Sequence, residues 1–473
     1  MKTTRLYEFQ RDGVRMLRDA DGRQLLSDEV GCGKTLQTLY YCWRYLPKDP
    51  PGPVVIVVPA HLRQNWRREA QKHLGLRVEV LYGEVVPQDK LPPYDPQQIY
   101  VLSYDVLTGP HWKARTTPPK NSWIAWLADL KPRILISDES HYLSNMGSAR
   151  TRAFRWLARR TPRCILLTGT PLPNKPENLF SLLHILWPKE YPSHFDFCST
   201  YTTPIKTPWG WQFRGARSLD LLHAELKGKM IRRRKVDVLK DLPAVTYSVV
   251  PIECDLREYQ KAEADVVAWL TKQDAAAGAR ASKAVELARM NTLVQLAAKA
   301  KLEHVVRWVK GFLEESDGKL LLGCLHYAVT GALMAALKGV AVLVDGTMSE
   351  KQKVAAFDRF NLDASCRVLV GNIHAAGTGW SCTSASHVAF AELPWRPSDL
   401  TQFAGRIHGV ERGIPGTAAQ VSLLVAEGTI ETELCQAIQR KNRWACAAID
   451  GDPETADLDV FDQMRRALRA REK

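Results

Sequence analysis

Nine short runs of Val, Ile and Leu punctuate this chain, each separated from the next by a longer stretch of helical character. Val54 to Val58, Ile99 to Leu102, Ile134 to Ile136 and Ile165 to Leu167 fall in the first half. Leu320 to Leu325, Val340 to Val344, Val368 to Val370, Val388 to Phe390 and Val421 to Val425 fall in the second. Strands interleaved with helices imply parallel sheets covered on both faces. The expected fold class is therefore α/β, in two lobes, one over residues 1–230 and one over 231–473. Between about 256 and 315 the chain is rich in Ala, Leu, Glu, Lys and Arg and shows no strand signal, so it reads as helical insertions. A length of 473 residues permits two or three domains with large cores. Pro-rich stretches at 47–53 and 87–96 read as surface loops, and the segment from Asp457 as a helix or tail.

Residues 28–35 read Asp-Glu-Val-Gly-Cys-Gly-Lys-Thr. A Gly-rich turn between a strand and a helix points backbone N–H groups at an anion, and the helix N-terminus adds partial positive charge. Gly31 and Gly33 let the backbone approach phosphates without an intervening Cβ. Lys34 is placed to neutralise the β and γ phosphates, and the Thr35 hydroxyl to ligate Mg2+. The general pattern has a further Gly where this chain has Asp28, so this is a variant loop. About a hundred residues later the apolar run Ile134 to Ile136 leads into Asp138-Glu139-Ser140-His141. Carboxylates at the end of an apolar strand are costly unless they meet a cation. Asp138 is the expected holder of magnesium and Glu139 the general base that orients the attacking water. Together the two segments point to hydrolysis of a nucleoside triphosphate, with ATP and Mg2+ as the expected ligands.

The formal net charge is +14 and the pI about 9.3, which favours a polyanionic partner, nucleic acid being the first candidate. No run is apolar and long enough to span a bilayer, and no signal peptide is read at the N-terminus, so no membrane partner is expected. The ten cysteines form no C-x-x-C pair, which argues against a zinc site or disulfide framework and fits a reducing cytoplasm. Cys164, Cys324 and Cys366 sit in apolar runs and read as core residues.

The motifs, in order, resemble those of a superfamily-2 helicase-like ATPase of the Swi/Snf type, from about Leu6 to Arg443. That resemblance implies two RecA-like lobes. Leu6-Tyr7-Glu8-Phe9-Gln10 with Gly13-Val14 is similar to the opening Gln motif, in which Gln10 would read the adenine edge and Tyr7 or Phe9 would lie near the base. Val58-Pro59-Ala60 through Arg63, Asn65 and Trp66 resembles a first-lobe motif that contacts the DNA backbone, and Ser103-Tyr104-Asp105 the next. Thr168-Gly169-Thr170-Pro171 with Asn174 looks like the motif that, with His141, couples hydrolysis to lobe movement. Leu179 to Trp187 and Arg232-Arg233-Arg234-Lys235 through Leu242-Pro243 match segments that ordinary helicases lack. The basic run is expected at the lobe junction.

In the second lobe Asp345-Gly346-Thr347, followed by Phe357 and Phe360-Asn361, resembles a further DNA-contacting block. Ala375-Ala376-Gly377-Thr378-Gly379 resembles motif V, an ATP-sensing loop. Glu392 to Pro397, continuing to Gln402, Arg406 and His408, resembles motif VI; there Trp395 has two readings, a DNA contact or a packing residue. Gly428 to Glu431 opens a helix expected to be ordinary core packing. Pro208-Trp209-Gly210-Trp211 through Leu219, and Phe390 to Trp395, resemble the branch of annealing helicases that remodel stalled forks.

One position departs from the family pattern. Motif VI carries a second arginine three residues after Arg406, and this chain has Gly409. Such arginine fingers contribute roughly 10³–10⁵ in rate. Arg412, or Arg406 itself, is the candidate replacement. The resemblance implies a monomeric DNA-dependent ATPase that moves on double-stranded or forked DNA, in a bacterial or phage-infected cytoplasm. Two alternatives stay open: a strand-separating helicase, which needs a wedge or pin, and an ATP-gated DNA-binding accessory protein with weak hydrolysis. RNA is a further possible substrate.

Overall fold

A computed structural model describes residues 4–451 apart from 47, 84–85, 87–94, 110–117, 173–175, 209, 215, 240–244, 265–278, 378–381, 383, 408–418, 433, 436–437 and 439–448; for 279–290 it describes the backbone alone. The chain forms two compact units, residues 1–240 with 443–453, and the remainder.

The first unit is built on strands β1 (Arg23–Leu26), β2 (Val54–Val58), β3 (Val78–Val80), β4 (Ile99–Ser103), β5 (Ile134–Ser137), β6 (Arg163–Leu167), a hairpin of β7 (Thr203–Thr207) and β8 (Gly210–Arg214), and β9 (Met230–Ile231). Seven of them form one sheet in the order β3-β4-β2-β5-β6-β1-β9, with parallel pairings. Its central strands β2, β4, β5 and β6 are buried along their whole length, as strands covered by helices on both faces must be. One layer of helices buries Trp66, Leu39 and Leu17 against one face, and another buries Phe154, Leu127 and Leu183 against the other.

The second unit has β10 (Val245–Ile252), β11 (Lys319–Cys324), β12 (Ala341–Val344), β13 (Val368–Asn372), β14 (Ala385–Phe390) and β15 (Ala419–Ala426). They pair in parallel in the order β10-β15-β14-β11-β13-β12. The expected helical insertion is one long helix, Ala279–Glu315, preceded by a helical stretch at 257–264. Lys301 on that helix is fully buried. Its ammonium meets Glu431 at 2.7 Å and also donates to the Leu424 carbonyl of β15, while Glu431 accepts from the Ala426 amide at 2.8 Å. This buried ion pair, which also engages the backbone of β15 through the Leu424 carbonyl and the Ala426 amide, pins the long helix to the sheet.

The α/β class with parallel sheets is as expected, and all nine apolar runs are strands. The expected lobe boundary after residue 230 is corrected. β9 straddles it and is hydrogen-bonded to β1, so the first unit continues to 240. The chain also returns to this unit near its end: Ile449 joins the core and Asp450 meets Arg232.

Candidate nucleotide-binding site

Parallel sheets gather functional loops at the carboxyl ends of their strands. In the first unit β5, β6 and β1 are neighbours, with Ser137 beside Leu166 and Leu167 beside Leu26. Three loops therefore leave the sheet side by side: 27–34 after β1, 138–141 after β5 and 168–172 after β6.

The first loop has left-handed turns at Gly31 (φ 90°) and Gly33 (φ 74°), which free a side chain from steric conflict only when it is hydrogen. Gly33 caps the helix Lys34–Arg44, and no side chain takes the cap hydrogen bond. The first-turn amides are therefore presented without a competing acceptor, the arrangement that suits a phosphate. Lys34 Nζ folds over the loop and donates to the carbonyls of Asp28 at 2.7 Å and Glu29 at 3.2 Å. The third loop closes on the same spot. A Cβ on Gly169 would lie 2.6 Å from Val30 Cγ2 and 3.4 Å from Lys34 Nζ, so only glycine lets Thr168-Gly169-Thr170 come this near. Thr168 is buried, and its hydroxyl accepts from the Thr170 amide at 3.1 Å, fixing the turn.

The second loop carries the acids. Asp138 Oδ1 accepts from the Glu139 amide and Oδ2 from Trp66 Nε1, both at 2.8 Å. Burial, and then the neighbouring Glu139 charge, push the Asp138 carboxyl up to about 6, against these two bonds and the charge of Lys34. A carboxylate held in that state gains from a divalent cation, and Asp138 and Thr35 are the oxygen donors these loops could offer to magnesium. Glu139 adopts φ 49°, a left-handed conformation that an L residue holds only at a cost. Its Oε2 lies 3.2 Å from His141 Nδ1. Ser140 donates to the Leu167 carbonyl at 2.9 Å, which ties the acidic loop to the strand that leads into Thr168.

Asp28, the position at which the loop departs from the general pattern, is fully buried. It accepts from Arg233 Nε at 2.9 Å and Nη2 at 2.5 Å, and from Gln37 at 3.0 Å. Arg233 also donates to Gln37 at 2.8 Å and to the Phe9 carbonyl, with its guanidinium 5.4 Å above the Phe9 ring. Arg232 donates to the carbonyls of Ser27 (2.9 Å) and Gly169 (3.2 Å) and pairs with Asp450. The Lys235 amide donates to Glu29 at 2.7 Å. The basic run expected at the lobe junction thus clamps the phosphate loop from behind. Sequence reading missed the roles of Arg233, Gln37 and Asp450. The one available signal was the coincidence of an acid in the loop with a buried-type arginine run two hundred residues on.

Gln10 lies beneath the same loop. Its Nε2 donates to the Cys32 carbonyl at 3.2 Å and its Oε1 accepts from the Tyr7 amide at 3.1 Å. These bonds leave one N–H and one lone pair of its amide for an adenine edge. Tyr7 is exposed and stacks on Phe9, with its ring open to a base.

Several expected DNA contacts need correction. The side chains of Trp66, Ser103 and Tyr104 are buried, as is Pro59. Trp66 holds Asp138. Tyr104 bonds Ser137 Oγ at 2.6 Å and donates to the Asp138 carbonyl at 2.7 Å. These residues shape the acidic loop from within, and they offer no face to a nucleic acid in this conformation. Arg63, over the Tyr82 ring at 4.4 Å, and Asn65 stay partly exposed.

In the second unit Gly377 ends the short helix Ile373–Ala376, where a Cβ would meet the Ile373 carbonyl at 2.3 Å. The helix Pro397–Ala404 starts with Pro at its first position and buries Gln402. The following turn brings Arg406 Nε to the Gln402 carbonyl at 3.0 Å. Asp345 is buried and ties down Thr347, while Gly346 and Thr347 are exposed. Trp395 is half-buried against the core. Gly379, Arg412, Gly409 and Asn174 lie outside the described residues.

The comparisons with known proteins agree with this geometry. The SNF2-related domain matches residues 9–304 and the helicase conserved C-terminal domain residues 300–410. The DNA annealing helicase and endonuclease ZRANB3 of Mus musculus is 28% identical over 458 residues, 95% of this chain and 41% of that protein. The SWI/SNF-related matrix-associated actin-dependent regulator of chromatin subfamily A-like protein 1 of Xenopus tropicalis is 30% identical over 441 residues, 92% of this chain and 44% of that protein. The chain thus spans less than half the length of these relatives. Among solved structures, the Sulfolobus solfataricus SWI2/SNF2 ATPase core in complex with dsDNA is 20% identical with a TM-score of 0.42, covering 97% of each chain. The phosphate loop, acidic loop and Thr-Gly-Thr turn on adjacent strands, within a match covering well over half its length, show that this chain belongs to the SNF2-related family of helicase-like ATPases.

Proposed function

We propose that the chain is a DNA-stimulated motor that tracks along double-stranded DNA and remodels or anneals forked structures. The observation that carries the proposal is the convergence of Lys34, Asp138, Glu139 and Gly169 on three neighbouring loops, with an internal hydrogen bond, Ser140 to Leu167, linking the acid to the coupling turn. The loop amides, Lys34 and Thr35 hold the triphosphate, and Glu139 orients the attacking water. Thr35 and Asp138 would hold a magnesium ion, which would supply charge neutralisation. In this reading loss of the γ-phosphate moves Thr168-Gly169-Thr170 and with it the grip on DNA, and Gly377, Gln402 and Arg406 are the residues of the second unit whose motifs, by family resemblance, respond to the nucleotide. The excess of basic residues, +14 overall, supports a phosphate-backbone substrate that is read without regard to sequence. The relative named a DNA annealing helicase supports structured DNA, whose strands can be paired or re-paired, as the substrate class.

The test is steady-state ATP hydrolysis with no DNA, single-stranded DNA, blunt duplex and forked duplex, with Lys34→Ala as control. Stimulation by duplex or fork, lost in the control, is expected, together with a steep loss of DNA affinity from about 50 to 200 mM salt. Equal hydrolysis with and without DNA would refute the motor. Gly409 in place of the family arginine favours one second reading, an ATP-gated DNA binder with weak hydrolysis. DNA binding without turnover on any substrate would establish it, and Arg412→Ala tests whether that side chain substitutes.

A further inference from the structure

The first unit carries an antiparallel hairpin, β7 and β8, that belongs to neither the sheet nor the nucleotide site. Most of its residues are exposed or half-exposed, on both faces. Two-stranded ribbons standing off a domain are marginal in water, and this one is anchored at its base. There Phe213 lies 5.9 Å from Phe195 and 5.7 Å from His194, and Arg217 donates to the carbonyls of Ser199 and Thr200.

Away from that base, Trp211 is 49% exposed and meets the edge of Phe195, itself 41% exposed, at 5.2 Å. Lys206 sits directly across the ladder from Trp211, on the same face. Arg214 is exposed on the opposite face. Between Asp196 and Asp220 the chain has Lys206, Arg214 and Arg217 and no acidic residue. An exposed indole braced from behind by a second ring, with Lys206 across the ladder and no acidic residue within the hairpin strands themselves, suits a base stacked on the ring and a phosphate beside it. Duplex DNA hides its base faces. Unpaired nucleotides at a junction present them.

We infer that this hairpin is the chain's junction element, with Trp211 stacking an unpaired base and Lys206 and Arg214 holding its flanking phosphates. The inference rests on the motor reading above and adds to it the feature that distinguishes forked from blunt DNA. It also supplies the structural pin that a strand-separating or fork-remodelling activity requires.

The test compares wild type with Trp211→Ala and Trp211→Phe, each in the full chain. The readouts are binding to blunt duplex, binding to a fork carrying 2-aminopurine at the first unpaired position, and hydrolysis stimulated by each DNA. Wild type is expected to prefer the fork and to quench the probe. Trp211→Ala should lose roughly tenfold of the fork preference, as loss of one stacked base implies, and should lose the quench. Hydrolysis on blunt duplex should not change, and Trp211→Phe should recover most of both effects. Lys206→Ala with Arg214→Ala should weaken fork binding and flatten its salt dependence. An unchanged fork preference and quench in Trp211→Ala, with duplex-stimulated hydrolysis intact, would overturn the junction role alone. Absence of DNA stimulation in wild type would instead overturn the motor reading beneath it. A change in solution mass on Trp211→Ala with fork preference intact would make the patch a protein contact and likewise overturn the inference.

Discussion

Replacing Arg233 by Met isolates the network beneath the phosphate loop. Met matches the stem of the side chain and removes its charge and all its donors. Asp28, fully buried, then loses two of its three side-chain hydrogen bonds and keeps that from Gln37. Gln37 Oε1 and the Phe9 carbonyl each lose a donor as well. Breaking a buried ion pair by removing one partner costs about 3–5 kcal/mol, chiefly because an uncompensated charge remains. The surviving Gln37 bond places Arg233→Met toward the lower end, about 3 kcal/mol. Adding Asp28→Asn removes the stranded charge and should restore about 2 kcal/mol, a coupling typical of residues in direct contact. Urea unfolding followed through the first unit's tryptophans measures the stabilities, and binding of a fluorescent ATP analogue measures the loop. ATP affinity should fall in the single variant and recover partly in the double. A loss under about 1 kcal/mol for Arg233→Met, or additive losses in the double variant, would refute the clamp.

Trp66→Phe should lower kcat by roughly ten- to a hundredfold, because Asp138 loses one of two hydrogen bonds to a charged group, worth about 1.5–3 kcal/mol. DNA affinity should stay within about twofold; a selective loss of DNA binding would reinstate Trp66 as a DNA contact. Lys301→Met should destabilise the second unit by about 3–5 kcal/mol and Lys301→Met with Glu431→Gln by less, as urea unfolding will show. His326 is raised above its ordinary range, first by its bond to buried Glu392 at 2.5 Å. Its stabilising contribution is therefore fully present below about pH 6.5 and is lost as pH rises through the raised value. The stability gap between wild type and His326→Gln, measured by thermal unfolding, should shrink steadily above pH 6.5. A gap that widened would refute the pairing.

Much of the site was legible because its chemistry is local. Gly31, Gly33, Lys34 and Thr35 act through backbone conformation and short reach within eight residues, and Asp138-Glu139 follows directly from its strand. The short strands β1, with Arg23 and Gln24 in it, and β3 carry too little apolar signal to be read. The polar hairpin β7–β8 has no buried face to betray it. Trp66 and Tyr104 were misassigned for a different reason. Motif position shows that they belong to the machinery, but only burial shows whether they face DNA or brace the acid.

Sequence alone determined the reaction class and the order of the parts, since strand periodicity and loop chemistry are properties of neighbouring residues. Tertiary structure decided which parts touch. It set the phosphate, acidic and coupling loops on adjacent strands, because parallel pairing reorders distant segments. It turned Asp28 from a missing glycine into an anchor, because a charge is stable in a core only when its partner, here Arg233 from 205 residues away, arrives with it. It also left Trp211 standing in solvent, where a tryptophan that sequence could only assign to a motif becomes a surface with a use.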